Sequence, residues 1–221
     1  LTGGPDLASA RPAAQRLDLG PGLTFVPGYL DRLAQERLLA EIRDLARRAP
    51  LFTPRMPRTD QPFSVRMTNC GPLGWVSDVS GYRYQPTHPQ TGEPWPAMPE
   101  SLLDAWNELA RFPHPPEACL INFYGPGARM GLHQDKDEGE LAAPVVSLSL
   151  GATALFRIGG LSRRDRTRSI RLSSGDAFVF GGAARLVFHG IDRILPETSD
   201  LIPGSGRVNL TLRRVTPAPA A

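Results

Sequence analysis

A single lysine, two cysteines and no long apolar run set the first limits on this 221-residue chain. Cys70 and Cys119 are too few for a disulfide framework at this length, which points to reduced or buried thiols and a cytoplasmic protein. No apolar stretch approaches bilayer-spanning length, and the Gly/Pro/Ala-rich N-terminus lacks the apolar segment of a signal peptide. Neither membrane insertion nor export is therefore expected. No internal repeat is visible. Lys136 is the sole lysine among 25 basic residues, and the formal net charge is only +3. A coding bias can fill a chain with arginine, so single arginines carry little weight. The cluster Arg163, Arg164, Arg166, Arg168 and Arg171 is denser. It reads either as a solvated loop or as a phosphate-facing patch.

The length suits one domain with a sizeable core. Residues 1–22 lack periodicity and read as a flexible tail, as do residues 215–221. Leu30, Leu33, Ala34, Leu38, Ile42, Leu45, Ala46 and Ala49 recur at helical spacing, predicting a helix from Asp31 to Ala49 that Pro50 closes. A second helix is predicted after Pro99, burying Leu102, Leu103, Trp106 and Leu109. Between them, about residues 53–98, runs a Pro- and Gly-rich stretch with aromatics and short strand-like pieces, the kind of long connection that often serves as a lid. From residue 117 the pattern changes to short strands at 118–124, 130–135, 144–150, 154–158, 169–172, 177–180, 186–189 and 207–213. That count and spacing predict a mainly β protein with flanking helices, its core a double-sheet jelly roll over 117–214. Residues 23–116 then form an N-terminal extension.

His133-Gln134-Asp135 with a distant His189 supplies the two imidazoles and one carboxylate that hold non-haem Fe(II) with open positions. Residues i and i+2 of a strand share a face, so His133 and Asp135 can reach one metal. Alone, the pattern arises often by chance on a polar strand face. A second cluster adds to it. Arg207-Val-Asn-Leu-Thr-Leu-Arg213 alternates strictly, with Arg207, Asn209, Thr211 and Arg213 opposite Val208, Leu210 and Leu212. The plain reading is a solvated arginine face. The functional one is a grip on a small dicarboxylate, because a guanidinium pairs with a carboxylate through two parallel bonds. Ala118–Tyr124 places Asn122 and Tyr124 on one face of a further strand.

These segments together resemble the AlkB family of Fe(II)/2-oxoglutarate dioxygenases that demethylate nucleic acids. The match is carried by Cys119-Leu-Ile-Asn-Phe-Tyr-Gly-Pro-Gly-Ala128, Leu132-His-Gln-Asp-Lys-Asp-Glu138, Gly181-Gly182 leading to Arg185 and His189-Gly190, and Arg207-x-Asn-Leu-Thr-x-Arg213. Upstream, Met67-Thr-Asn-Cys-Gly-Pro-Leu-Gly-Trp75, Gly81-Tyr-Arg-Tyr84 and Pro94-Trp-Pro-Ala-Met-Pro99 resemble the bacterial branch. The resemblance runs from about Phe25 to Arg214. It implies a double-stranded β-helix (jelly-roll) core with an N-terminal helical and nucleotide-recognition lid extension.

The resemblance also implies roles. His133, Asp135 and His189 would hold Fe(II). Arg207, Tyr124, Asn122, Asn209 and Arg213 would bind 2-oxoglutarate, the split of its two carboxylates between the arginines being left open. O2 would be the second cosubstrate. Trp75, Tyr82 and Met67 would receive a flipped base, Asp137 would accept from its exocyclic amine, and Arg163 and Tyr84 would hold it from the opposite loop. The activity implied is oxidative demethylation of 1-methyladenine and 3-methylcytosine, releasing formaldehyde, succinate and CO2. The partner would be nucleic acid, single-stranded DNA first and duplex DNA or RNA as alternatives, with no membrane and a monomeric enzyme. His88 and His114, outside the metal motif, are read as surface or turn residues. Phe180, Val208 and Met130-Gly131 depart from the best-known bacterial pattern without removing a ligand. The competing function is a related oxygenase acting on a protein or small molecule, which need not carry the Met67–Tyr84 stretch. A jelly-roll binding module without iron chemistry would predict a missing ligand or a broken 207–213 strand, and neither is present.

Overall fold

Asp31 starts the first helix by accepting from the Ala34 amide at 2.8 Å, and the chain then winds as α1 over Arg32–Arg48. Its apolar stripe of Leu38, Leu39, Ile42 and Leu45 is buried, while Leu33, counted within the helical period, faces solvent at 55% exposure. The second helix, α2, spans Glu100–Ala110 and buries Leu102, Ala105, Trp106 and Leu109. Ala105 takes the inward place predicted for Leu103, which is only half-buried. The computed structural model describes residues 15–217.

Among the described residues thirteen strands accompany the helices: β1 Leu17–Asp18, β2 Leu23–Val26, β3 Arg66–Cys70, β4 Gly74–Asp78, β5 Gly81–Gln85, β6 Ala118–Tyr124, β7 Met130–His133, β8 Val145–Gly151, β9 Ala154–Ile158, β10 Arg168–Leu172, β11 Ala177–Phe180, β12 His189–Ile194 and β13 Arg207–Arg213. A seven-stranded sheet runs β1-β2-β11-β8-β13-β6-β3, a four-stranded sheet β10-β9-β12-β7, and β4-β5 is a separate hairpin. The helices cover the outer face of the large sheet, where Val146, Leu148, Val208, Leu210 and Leu212 share one core with Leu38, Ile42 and Trp106. A second core of Tyr124, Phe156, Ile158, Phe178, Phe180 and Ile191 lies on the other face. Two sheets closing on one apolar interior make the predicted jelly roll.

Several boundaries differ from the sequence reading. Leu17–Asp18 pairs with Phe25 and Thr24, so part of the expected 1–22 tail is strand; residues 1–14 lie outside the described residues. Thr216 is likewise tied down, its amide and hydroxyl both donating to Glu117, while residues 218–221 of the expected C-terminal tail lie outside the described range. The strand predicted at 186–189 instead begins at His189, because Gly182–Ala184 forms a 3-10 turn that delays it. His88 is not at the surface: its ring is buried, with Nε2 against the Pro50 carbonyl and Nδ1 accepting from the Gln90 and Thr91 amides. Cys70 and Cys119 are free, buried and opposite each other in the β3–β6 register. Among the described residues no helix is long and apolar enough to cross a membrane.

Candidate active site

Antiparallel pairing sets His133 at the end of β7 directly opposite His189 at the start of β12, with ring centroids 4.5 Å apart. Gly190 permits this close approach, since a Cβ there would stand 2.5 Å from the Met130 carbonyl oxygen. Strand β7 stops at His133, so Asp135 and Asp137 do not project from a continuing strand as the i, i+2 spacing suggested. Asp135 is instead brought over by side chains. Arg185 donates from Nη1 to its carbonyl oxygen at 2.5 Å, and Gln134 is anchored on the Leu186 carbonyl at 2.6 Å.

The three side chains converge. Their possible ligand atoms all lie within 4.8 Å of one another, with His133 Nε2 at 3.7 Å and His189 Nε2 at 3.8 Å from the Asp135 carboxylate. Each imidazole turns Nδ1 to a backbone oxygen, Gly131 at 2.9 Å and Val187 at 3.0 Å. A carbonyl only accepts, so Nδ1 carries the proton and the Nε2 lone pair is left for a metal. Burial pushes the His189 imidazole down to about 4, with His133 adding to the effect. Burial alone would raise the Asp135 carboxyl, but Arg213, His189, His133 and Arg185 hold it well below the usual range. Two neutral imidazoles and an ionised carboxylate on one face fit a divalent cation such as Fe(II).

The same shift has a consequence for the metal-free protein. Between about pH 6.5 and about pH 4 the unfolded chain binds a proton at His189 that the folded chain refuses. Stability should therefore fall as pH drops through that window, and fall further in stronger acid as Asp135 is protonated. Urea unfolding of metal-free protein across pH 4–7 checks this. A flat profile would contradict the burial assigned to His189.

Beside the triad, register builds a polar wall. In β13–β6 pairing, Arg207 stands opposite Tyr124 and Asn209 opposite Asn122; on the other side Asn209 faces Ser149 and Thr211 faces Ser147. The arginine-bearing face is buried, not solvated: Arg207 is 0% and Arg213 6% exposed. Burial pushes the Arg207 guanidinium down to about 10, so it remains charged at neutral pH. It donates to the Ala152 and Leu172 carbonyls and to Ser149 Oγ, and no carboxylate hydrogen-bonds it. Arg207 Nε, Arg213 Nε and Asn122 Oδ1 are buried without a hydrogen-bond partner. Arg213 is nonetheless ion-paired with Asp135 at 2.8 Å and Glu138 at 3.4 Å, so Arg207 is the cation of this wall without a carboxylate partner, and with the unsatisfied Asn122 amide it suits an anionic ligand.

A cavity of about 620 Å³ joins these parts. Met67, Trp75 and Tyr82 line it from the N-terminal extension, and Asn122, Tyr124, Asn209 and Arg213 from the large sheet. His133, Asp135, His189, Asp137 and Arg163 complete the predicted set within it, and Phe180 packs its ring 4.7 Å from that of His189. Trp75 and Tyr82 stack at 5.5 Å with planes 19° apart. Arg163 lies over the Phe188 ring at 5.2 Å, while Arg164, Arg166, Arg168 and Arg171 are exposed outside the cavity.

Two predicted site residues stand elsewhere. Arg207 is sealed behind the wall, next to Tyr124. Tyr84, expected to hold the substrate, is turned inward. Its hydroxyl donates to Glu138 and accepts from Arg213 at 3.1 Å, and burial raises its pKa well above the ordinary tyrosine value. Glu138 and Arg185 stand in motifs that carry the resemblance, but sequence alone assigns neither a role in the site. Glu138 looks like one more turn carboxylate after Asp135, Lys136 and Asp137, but it is buried and paired with Arg185 at 3.1 Å. Arg185 also holds the Ala143 carbonyl at 2.9 Å, and Arg213 holds Asp135 Oδ1 at 2.8 Å. The hairpin, the metal carboxylate and the polar wall thus share one buried ionic network.

A jelly roll whose small sheet carries a facial His/Asp/His set beside a buried cationic wall defines a non-haem iron oxygenase that takes an oxo-dicarboxylate. Residues 22–213 match the 2OG-Fe(II) oxygenase superfamily. The alpha-ketoglutarate-dependent dioxygenase AlkB homolog of Caulobacter vibrioides is 53% identical over 205 residues, 93% of each chain. The solved structure of OsALKBH1 superposes with a TM-score of 0.76 at 32% identity, covering 90% of this chain and all of that one. The DNA N(6)-methyladenine demethylase ALKBH1C of Arabidopsis thaliana is 32% identical over 88% of this chain and 48% of its own longer one. The chain belongs to the AlkB family of 2OG-Fe(II) oxygenases, and its cofactors are Fe(II), 2-oxoglutarate and O2.

Proposed function

We propose that the enzyme removes methyl groups from N-alkylated bases, 1-methyladenine and 3-methylcytosine, in single-stranded DNA, with duplex DNA and RNA as further substrates. One observation carries the reading: the stacked Trp75–Tyr82 pair, an exposed carboxylate at Asp137 and the cation Arg163 all line the same cavity as the triad. A protein or metabolite oxygenase has no need for flat aromatic faces there. Asp135 and His189 are buried, so a base must leave its stack to reach them, which favours single strands. The Arabidopsis relative is named a DNA N(6)-methyladenine demethylase, which supports a nucleic-acid substrate and not the particular methylated position. The enzyme is taken to act as a cytoplasmic monomer.

When bound, iron with 2-oxoglutarate and O2 supplies the oxidising chemistry. The net change consumes 2-oxoglutarate, O2 and the N-methyl base, and yields succinate, CO2, formaldehyde and the unmethylated base. The chain's own residues do the rest. His133, Asp135 and His189 would hold the metal. Arg213, Asn209, Asn122 and Tyr124, with Arg207 behind them, would bind the dicarboxylate. Met67, Trp75 and Tyr82 would give the base an apolar slot and displace water, and Arg163 would meet the strand at the mouth.

Asp137 tests the substrate class. Bases methylated at N1 of adenine or N3 of cytosine are cationic, and a carboxylate beside them accepts from the exocyclic amine. A hydrogen bond to a charged group contributes roughly 1.5–3 kcal/mol. Asp137→Ala should lower kcat/KM on 1-methyladenine and 3-methylcytosine by about one to two orders of magnitude, at ~1.4 kcal/mol per tenfold. Neutral 3-methylthymine should lose less. Equal losses on cationic and neutral bases would show that Asp137 shapes the pocket without selecting charge. Turnover of a methylated peptide in preference to every methylated oligonucleotide would favour the other oxygenase reading.

A further inference from the structure

We propose that Trp75 has a second task besides offering a flat face: its indole N–H positions the Asp137 carboxylate and so sets the preference for cationic over neutral bases. The inference rests on the functional reading above and names a specificity determinant within it. Trp75 Nε1 donates to Asp137 Oδ2 at 2.9 Å. Asp137 needs such a partner, because it lies past the end of β7 in a segment without regular structure and is exposed. A carboxylate in that position would rotate freely and lose ordering entropy on meeting an amine.

Trp75, in contrast, is held from several directions. Asn69, fully buried, clamps its backbone on both sides, accepting from the Trp75 amide at 3.0 Å and donating to its carbonyl at 3.1 Å. The preceding Gly74 lets the Trp95 ring come close, since a Cβ at Gly74 would stand 2.4 Å from it. The indole stacks on Tyr82 and has Phe63 at 6.3 Å. A rigid donor therefore fixes an otherwise mobile acceptor. It engages one carboxylate oxygen and leaves Oδ1 to accept from a base. An indole nitrogen donates and cannot accept, so this bond serves only a carboxylate poised as an acceptor. Trp75 thus acts as a positioning residue through Asp137, over and above its stacking.

The test is a double-mutant cycle of Trp75→Phe and Asp137→Ala in the iron-loaded enzyme. Single-stranded oligonucleotides carry either 1-methyladenine or 3-methylthymine, and anisotropy titrations of the same oligonucleotides onto metal-free protein give a readout independent of turnover. Phenylalanine keeps a stacking ring and loses the donor. Trp75→Phe should cut the preference for 1-methyladenine over 3-methylthymine about tenfold, the factor a hydrogen bond to a charged group supplies. In the Asp137→Ala background the same substitution should leave the remaining preference unchanged, since the bond is already gone. Equal losses on both bases, or effects on the preference that simply multiply in the double variant, would overturn the inference and leave Trp75 as a stacking residue. A wild-type enzyme that neither binds nor turns over methylated oligonucleotides would overturn the functional reading, and this inference with it.

Discussion

Asp135→Ala should leave no measurable turnover in a protein that still folds. The carboxylate is the sole anionic group of the triad, held between His133 Nε2 and His189 Nε2 at 3.7 and 3.8 Å. Without it, two neutral imidazoles remain to bind a divalent ion, and the positive Arg213 beside them loses its 2.8 Å partner. Breaking a buried pair outright costs about 3–5 kcal/mol, and here Glu138 at 3.4 Å still faces the Arg213 charge, which lessens the penalty. Circular dichroism must therefore accompany the assay, and Asp135→Asn supplies a variant of the same shape with a smaller folding penalty. Both should lose Co(II) binding, followed spectroscopically in place of iron. A folded Asp135→Ala protein with near-normal demethylation would end the assignment of the triad.

The second large effect is expected at Arg207. Arg207 lies behind the cavity lining, fully buried, with an unpartnered Nε and no carboxylate hydrogen-bonded to it, so an anion is the partner expected for its charge. Its opposite neighbour across the ladder is Tyr124, which lines the cavity. Losing a charge-assisted bond of roughly 1.5–3 kcal/mol should raise the KM for 2-oxoglutarate in Arg207→Ala by about ten- to a hundredfold. The rise should exceed any loss in kcat. In the wild type the same cosubstrate should raise Tm, because a ligand that binds only the folded chain stabilises it. A folded Arg207→Ala protein with an unchanged KM would move the dicarboxylate to Arg213 alone.

Much of this architecture was legible in the chain because period and spacing are local properties. The alternation of Arg207–Arg213 gave a strand with two different faces, one in the helix-covered core and one forming the buried polar wall. The helical stripe from Leu30 to Ala49 gave α1 within a residue at each end. What could not be read were contacts between distant segments. The end of β7 at His133 depends on pairing with β12, not on local propensity. Arg185 and Glu138 meet only in three dimensions, across residues that fold back over the triad. Tyr84 shares the β5 face of Tyr82, two residues before it, yet its hydroxyl meets Glu138 and Arg213, partners that are distant in sequence. Within one acidic run the sequence marks Asp135 for the metal and Asp137 for the base, and the fold adds an indole partner for Asp137 and a buried arginine for Glu138, which had no assigned role.

The central claim is that one cavity joins a 2-oxoglutarate-driven metal site to a slot for a methylated base. The most direct measurement incubates the Fe(II)-loaded enzyme with 2-oxoglutarate, O2 and a single-stranded oligonucleotide bearing one 1-methyladenine, and quantifies formaldehyde, succinate and unmethylated adenine together. Equal yields of all three are expected, with none formed when 2-oxoglutarate is omitted. Succinate accumulating while the methylated base stays intact would contradict it.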